Sequence, residues 1–118
     1  MLELRDVKVI WEEHQMRMLL KAQVPTETAN ARLKDGSLGD SLNSILADTK
    51  PEAVYFLIED GLRTVLVVFD MQNVAEMPAI VEPWFLAFGA SVKITPVLNG
   101  DDFAIVGPSL GAVVQKYG

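Results

Sequence analysis

Alternation of apolar and polar side chains marks the clearest strands of this chain. Residues 16–24 follow the two-residue period of a half-buried strand, and Pro25 ends the run. Residues 53–69 contain two further β-rich runs on either side of the pair Asp60-Gly61, which suits a type I′ turn. These segments predict one strand followed, later in the chain, by a tight β-hairpin.

The hairpin turn also predicts which residues share a face of the sheet. Glu59 then pairs with Leu62, and Phe56 pairs with Val65. One face, which we expect to pack on helices, is apolar with an arginine at its edge: Val54, Phe56, Ile58, Arg63, Val65, Val67 and Phe69. The other face is apolar with polar ends: Tyr55, Leu57, Glu59, Thr64, Leu66, Val68 and Asp70. A shift of one residue would mix the two sets, so this register is favoured.

Helical segments are predicted between the first strand and the hairpin. Residues 27–34 form the first, with Thr26 as its N-cap, and the turn-forming residues 35–39 break it. Asp40 is predicted to cap a second piece, which carries three apolar residues on one face: Leu42, Ile45 and Leu46.

A helix, an edge strand and a helical tail are predicted after the hairpin. The helix lies within residues 73–88 and starts late, with Pro78 in its first turn and a kink or restart at Pro83. Its face towards the sheet is predicted to contain Met77, Trp84, Phe85 and Phe88. The strand covers residues 91–97 and the tail begins at Gly100, with its last piece starting at Pro108.

This order of elements predicts an α+β fold, a ferredoxin-like βαββαβ sandwich with a four-stranded antiparallel sheet and a C-terminal helix. The face of the sheet that lacks helices would expose an apolar patch, which usually marks a partner surface. The simplest partner is a second copy of the chain, packed sheet against sheet. The residues predicted for this homodimer interface are Tyr55, Leu57, Leu66 and Val68.

The element order, the length and the open sheet face resemble the dimeric α/β-barrel superfamily. That group includes small monooxygenases of the antibiotic-biosynthesis type and muconolactone-isomerase-like proteins. Segments 50–53, 82–88 and 114–118 are similar to a family of short, uncharacterised bacterial proteins of unknown function. The resemblance covers residues 16–118 and implies a fold and a dimer, without a catalytic signature.

Residues 1–15 lie outside that resemblance and form an N-terminal extension. One interpretation makes Met16 the true start, because the codons of Glu12-Glu13 are purine-rich like a bacterial ribosome-binding site. The other makes the alternating residues 6–11 an extra strand. Both interpretations stay open, and the domain proper is predicted to be residues 16–118.

Composition excludes several classes of function. The chain of 118 residues has no cysteine, so disulfides, thiolate metal sites and cysteine nucleophiles are excluded. A net charge of −6 counts against nucleic acids and anionic membranes as partners. The apolar runs, such as residues 65–69, are too short to span a bilayer, and charges among the first residues do not fit a signal peptide. We therefore expect a cytoplasmic protein.

A small-ligand site is the most specific function that the open sheet face suggests. Polar side chains predicted to converge on it are Lys21, Gln23, Tyr55, Thr64, Lys93 and Thr95. In a dimeric barrel they would line the interior, where a few polar groups suit a small apolar or weakly acidic ligand. They would alternatively be interface or rim residues whose polar ends reach water.

Two other functions stay open. A cofactor-independent monooxygenase or isomerase would use Tyr55 or Lys21 as the polar group that orients its substrate. A non-catalytic interaction module would need no ligand at all. The single histidine, His14, is interpreted as a solvated surface residue, so we expect no metal and no cofactor. Acidic residues at the hairpin tip (Glu59 and Asp60) and at the start of the tail (Asp101-Asp102) are interpreted as solvated, turn or helix-cap residues.

Overall fold

The computed structural model describes residues 16–118, which form a four-stranded antiparallel sheet with α-helices packed mainly on one side. The strands are β1 (Met16–Val24), β2 (Ala53–Glu59), β3 (Leu62–Met71) and β4 (Ser91–Pro96). The helices are α1 (Thr26–Asp35), α2 (Leu38–Thr49), α3 (Met77–Phe88) and α4 (Gly100–Tyr117), with a 3₁₀ turn at Val74–Glu76. The strand order β2-β3-β1-β4 confirms the ferredoxin-like fold. The hypotheses about residues 1–15, His14 included, lie outside the described residues.

The hairpin has the predicted turn and the predicted register. Asp60 and Gly61 both adopt left-handed backbone conformations, with φ of 56° and 74°, as a type I′ turn requires. Glu59 pairs with Leu62 and Phe56 pairs with Val65. Because side chains alternate between faces, this register fixes which residues of β2 and β3 point towards the helices.

The core lies between one face of the sheet and helices α1 to α3. Its strand residues are the alternate positions of β1 and β3: Met18, Leu20, Ala22, Val24, Val65, Val67, Phe69 and Met71. From α3, Trp84 and Phe88 are fully buried, with ring centroids 6.0 Å apart. Phe85, predicted to belong to that face, is instead exposed, because neighbouring helical residues point in different directions.

The structure corrects both predicted helix caps. Thr26 is the first residue of α1 rather than its cap, and Pro25 occupies the cap position, where its carbonyl oxygen accepts the Ala29 N–H at 3.0 Å. Helix α2 begins before Asp40, which lies in its first turn. The loop is shorter than predicted because the Asp35 carboxylate accepts the Ser37 N–H at 2.8 Å and closes a tight turn.

Prolines interrupt neither of the last two helices. Helix α3 runs unbroken through Pro83, which excludes the predicted restart. Helix α4 runs unbroken through Pro108, so the prediction of a separate last piece is wrong. Each proline removes one hydrogen bond, and the bonds of the flanking turns keep the helix continuous.

Candidate functional site

The sheet face opposite the core is arranged in rows of directly paired residues that cross all four strands. The central row contains Tyr55, Leu66, Lys21 and Lys93, in strand order. The rows beside it contain Ala53, Val68, Leu19 and Thr95, and Leu57, Thr64, Gln23 and Ser91. Apolar side chains therefore concentrate on β2 and β3, while amines, amides and hydroxyls concentrate towards β1 and β4.

The four residues predicted for a dimer interface share the apolar half of this face. Leu57, Leu66 and Val68 are half-buried in the single chain, and Tyr55 is exposed. Tyr55 and Leu66 are direct neighbours across β2 and β3. The register thus brings the four together, and whether a second copy covers them stays a prediction.

Three of the six predicted ligand-binding residues are held by the hairpin end. The Lys21 Nζ lies 2.8 Å from a carboxylate oxygen of Glu59. The Gln23 amide donates to the main-chain oxygen of Glu59 at 3.2 Å. Thr64 is buried, and its hydroxyl donates to the main-chain oxygen of Leu62 at 3.0 Å. Glu59, predicted to be solvated, is thus ion-paired, because its side chain shares the sheet face of Lys21.

The other three predicted residues, Tyr55, Lys93 and Thr95, are exposed on the two edge strands. Lys93 pairs directly with Lys21 across β4 and β1. Directly paired side chains have Cβ atoms about 4.5–5.5 Å apart, and like charges at that spacing destabilise the pair. The Glu59 carboxylate offsets the charge of Lys21, and an anion bound beside Lys93 would offset the second.

A second polar cluster, which the sequence did not predict, joins β1 to the start of α4. Arg17 donates to Glu52 through Nε at 3.1 Å and through Nη2 at 3.0 Å, and its Nη1 contacts the Asp102 carboxylate. Asp102 also forms a capping box with Asn99, since each side chain accepts the other residue's N–H. The Asn99 N–H, followed by Arg17, holds the pKa of Asp102 below its usual value.

The sequence predicted the role of Asp102 in this cluster but not the contact that Arg17 makes. Asp102 was interpreted as a helix-cap residue, which is confirmed. Its contact with Arg17 joins residues that are 85 positions apart, and no local pattern predicts such a contact. The hydrogen bonds that Arg17 donates to Glu52 raise the pKa of Arg17 above its usual value, so the guanidinium is a permanent cation between two carboxylates.

An apolar groove opens on the helix side of the sheet, at the hairpin end. It encloses about 300 Å³. Its lining is Val24, Ala29, Leu38, Leu42, Phe56, Leu57, Ile58, Arg63, Thr64 and Val65. We expected Phe56 and Ile58 to pack on helices, and the structure corrects this. Both are exposed because α1 and α2 lie over the central strands and leave the edge strand β2 uncovered.

A larger cavity of about 460 Å³ lies between α2, α3 and the end of β3 and has Asp48, Asp70 and Glu76 among its lining residues. Within residues 16–118, no group of three or more histidine, cysteine or acidic side chains is placed to hold a metal ion. Over the same residues, no helix has the length and apolarity needed to cross a membrane.

No protein-family model matches the chain, and no curated protein matches it. Among solved structures, it is similar to a formyltetrahydrofolate deformylase from Pseudomonas putida KT2440, with 17% identity and a TM-score of 0.43 over 67% of this chain and 28% of that chain. It is also similar to the de novo designed protein Ferredog-Diesel, with 13% identity and a TM-score of 0.41 over 70% of this chain and 86% of that chain. The chain thus spans under a third of the deformylase, and neither similarity bears on activity.

Proposed function

We propose that the protein is a homodimer of the α/β-barrel type that binds a small apolar or weakly acidic molecule between its two sheets. The observation that carries this proposal is the central row of the sheet face, in which Tyr55 and Leu66 stand beside Lys21 and Lys93. An apolar surface with a few cationic groups at one side is the composition of a small-ligand site.

The strand count supports a cavity of ligand size. Two four-stranded sheets packed face to face supply eight strands, and a barrel of about eight strands is filled by side chains or holds one small ligand. The apolar halves of the two sheets would exclude water from the interior. An acidic group would then interact with an ammonium in a low dielectric, where the attraction is strongest.

Of the two lysines, Lys93 is the better ligand for an external anion. The Lys21 ammonium already contacts the Glu59 carboxylate, which would have to be displaced. We propose that Lys93 binds the acidic group, that Tyr55 and Thr95 contact the rest of the ligand, and that Lys21, Gln23 and Thr64 shape the hairpin side of the site.

An apolar anionic dye, anilinonaphthalene sulfonate, tests the site without knowledge of the natural ligand. We expect the dye to bind saturably to the folded protein, and Lys93→Met to weaken binding at least several-fold because the sulfonate loses its cation. Lys34→Met is the matched control, since Lys34 is an exposed lysine at the end of α1. Equal binding by both variants would contradict the proposed site.

The dimer is tested by an acidic residue placed in the apolar half of the face. Leu66→Asp should weaken the dimer, because it places a carboxylate without a partner in the proposed sheet-to-sheet contact. Leu33→Asp is the control, since Leu33 is an exposed leucine of α1 on the outside of the molecule. Light scattering after size exclusion reads both, and a Leu66→Asp protein that stays dimeric would place the interface elsewhere.

The same variants separate the two alternatives. A monooxygenase or isomerase would turn over an identified ligand, and Tyr55→Phe or Lys21→Met would abolish that turnover without loss of stability. An interaction module would dimerise and show no saturable binding of the dye. Either outcome replaces the ligand-binding proposal with a named alternative.

A further inference from the structure

Helix α4 carries an apolar stripe that the described part of the chain, residues 16–118, leaves uncovered. The stripe residues lie three or four positions apart, on one face of the helix: Phe103, Val106, Leu110, Val113, Val114 and Tyr117. No residue of α4 is buried, and Phe103 and Tyr117 expose 63% and 75% of their surface. The opposite face is mostly polar or small, with Asp101, Ser109 and Gln115.

The sequence of α4 makes it a poor helix when it is isolated in water. Its middle contains Gly107, Pro108 and Gly111, and glycine and proline are the least favourable residues in a helix interior. Helices of this length gain most of their stability from packing an apolar face rather than from propensity. An 18-residue helix with this sequence therefore needs a surface to pack on.

The apolar groove lined by Phe56, Ile58 and Leu42 is the surface that matches the stripe. Both are apolar, and Arg63 is the one charged residue in the groove lining. The stripe itself carries no charge. In a chain with a net charge of −6, contact between an uncharged stripe and a groove with a single arginine brings no like charges together.

The chain's own α4 does not reach its own groove. The first turn of α4 contacts Arg17 of β1 through Asp102, and the Arg17 side chain is on the face opposite the core. Phe56 and Ile58 are on the core face. Arg17 and Val24, a residue of the groove lining, are seven residue steps apart on β1, which is about 23 Å along the sheet. No residue of α4 lines the groove, and Phe56 and Ile58 are exposed in the single chain, so the stripe of one chain does not fill its own groove.

We propose that two copies of the chain exchange their C-terminal helices, so that the α4 stripe of each copy packs into the groove of the other. The contact is reciprocal, as a two-fold dimer requires. It uses different surfaces from the sheet-to-sheet contact proposed above, and each contact can exist without the other.

The exposed area suffices for a stable dimer. At about 150–250 Å² for an aromatic side chain, Phe103 and Tyr117 together expose roughly 250 Å². On two helices these aromatic residues expose about 500 Å². The aliphatic residues of each stripe and the exposed side chains of Phe56 and Ile58 in each groove add to this area and bring the contact towards the roughly 1,600 Å² of a standard interface.

Cysteine cross-linking tests the exchange directly, because the chain has no cysteine of its own. One protein carries Leu110→Cys in the stripe and another carries Ile58→Cys in the groove. The two are mixed, unfolded and refolded together, and then oxidised. We expect a disulfide-linked heterodimer, since only exchange places the two thiols together on different chains. In the matched control, Tyr55→Cys on the other sheet face replaces Ile58→Cys and should give little of that product.

The remaining results would overturn the exchange. A disulfide that forms only when both cysteines are on one chain, in a monomer, would show that α4 folds back on its own groove. Cross-linking to Tyr55→Cys as strong as to Ile58→Cys would show that the stripe covers the other sheet face. Absence of any cross-link in a correctly folded mixture would show that the groove has another occupant.

A pair of conservative variants tests the stripe without a cysteine. Val114 and Ile105 are β-branched residues of α4 with nearly equal exposure, 65% and 67%, but only Val114 belongs to the stripe. Val114→Gln should weaken the dimer at least about tenfold, because it removes buried apolar area, whereas Ile105→Gln should leave the dissociation constant within about twofold. Equal effects would contradict the exchange.

The experiments can contradict the exchange and the sheet-to-sheet contact independently of each other. If Leu66→Asp gives monomers and Val114→Gln does not, the exchange is contradicted and the ligand-binding dimer stands. If Val114→Gln weakens the dimer and Leu66→Asp does not, the exchange stands and the sheet contact is contradicted.

Discussion

Phe56 and Val65 are direct partners in the hairpin and share one face of the sheet, yet their surroundings differ. Val65 on β3 has 4% of its surface exposed, whereas Phe56 on β2 has 64% exposed. The difference arises because α1 to α3 cover the central strands and leave the edge strand bare. Periodicity therefore predicts the direction of a side chain, while coverage depends on how many helices the chain can place on the sheet.

Helices α3 and α4 repeat the same contrast. Both are rich in apolar residues, and α3 buries Trp84 and Phe88 against the sheet, whereas α4 buries none. The region formed by β1, β3 and α1 to α3 is thus complete within one chain. The region formed by the edge strand β2 and by α4 has apolar surface that a second copy would complete.

The largest expected effect is in the complete region. Trp84→Ala should lower the free energy of unfolding by about 3–5 kcal/mol, because it leaves a cavity at a fully buried position. Phe85→Ala, at the next and exposed position, should cost less than about 1 kcal/mol. Urea unfolding at one protein concentration measures both, and similar losses would mean that the two helix faces are not distinguished as described.

A second pair compares phenylalanines on the two regions of the same sheet face. Phe69→Ala should cost about 3 kcal/mol or more at every protein concentration, because Phe69 is buried within one chain. Phe56→Ala should cost little when the protein is dilute and more when it is concentrated, because the proposed exchange covers Phe56 with a second copy. A concentration-independent cost at Phe56 would contradict its assignment to an interface.

The sequence predicted most of the fold because the informative features are local. The alternation of residues 16–24 predicted β1, and Asp60-Gly61 predicted the turn and, through it, the whole register of β2 and β3. The helix caps were wrong by a few residues because Asp35 and Ser37 form a tight turn that competes with capping. The unbroken helices at Pro83 and Pro108 were also missed, since a proline's effect depends on the turns around it.

The candidate site was less predictable, for a physical reason. The sequence placed Lys21, Gln23 and Thr64 on one face, and the structure agrees. Nothing in the sequence indicated that groups at the hairpin end would form an ion pair or hydrogen bonds with these three side chains. The pairing of Arg17 with Asp102 depends on where α4 begins relative to β1. Contacts between side chains that only the tertiary fold brings together cannot be predicted from local periodicity.

A smaller effect is expected at two glycines, which test the hairpin that aligns Phe56 with Val65. Gly61→Ala should cost about 1 kcal/mol, because Gly61 has a φ of 74° and a Cβ is strained there. Gly39→Ala, in the first turn of α2 with open space around it, should be neutral or stabilise by roughly 0.5 kcal/mol. Thermal unfolding reads both, and a tolerated Gly61→Ala would argue against the type I′ turn.

The smallest effect concerns the base of α4 and depends on pH. The pKa of Asp102 is lowered in the folded protein, so its stabilising contribution is present above the usual value of about 3.8 and is lost as the pH falls through the folded pKa. Acid should therefore loosen the start of α4. Asp102→Asn should abolish this step in far-ultraviolet circular dichroism, whereas Asp35→Asn, at the other carboxyl with a lowered pKa, should not. Identical acid titrations of the Asp102→Asn variant and the parent would contradict this assignment.

Native mass spectrometry at micromolar concentration tests most directly whether a second copy completes the outer region. With a chain mass of 13.0 kDa, the account predicts a species of twice that mass, and extra mass on the dimer would supply the ligand for identification. Monomer alone at that concentration would contradict both proposed contacts, because the apolar surfaces of β2 and α4 would then stay exposed to water.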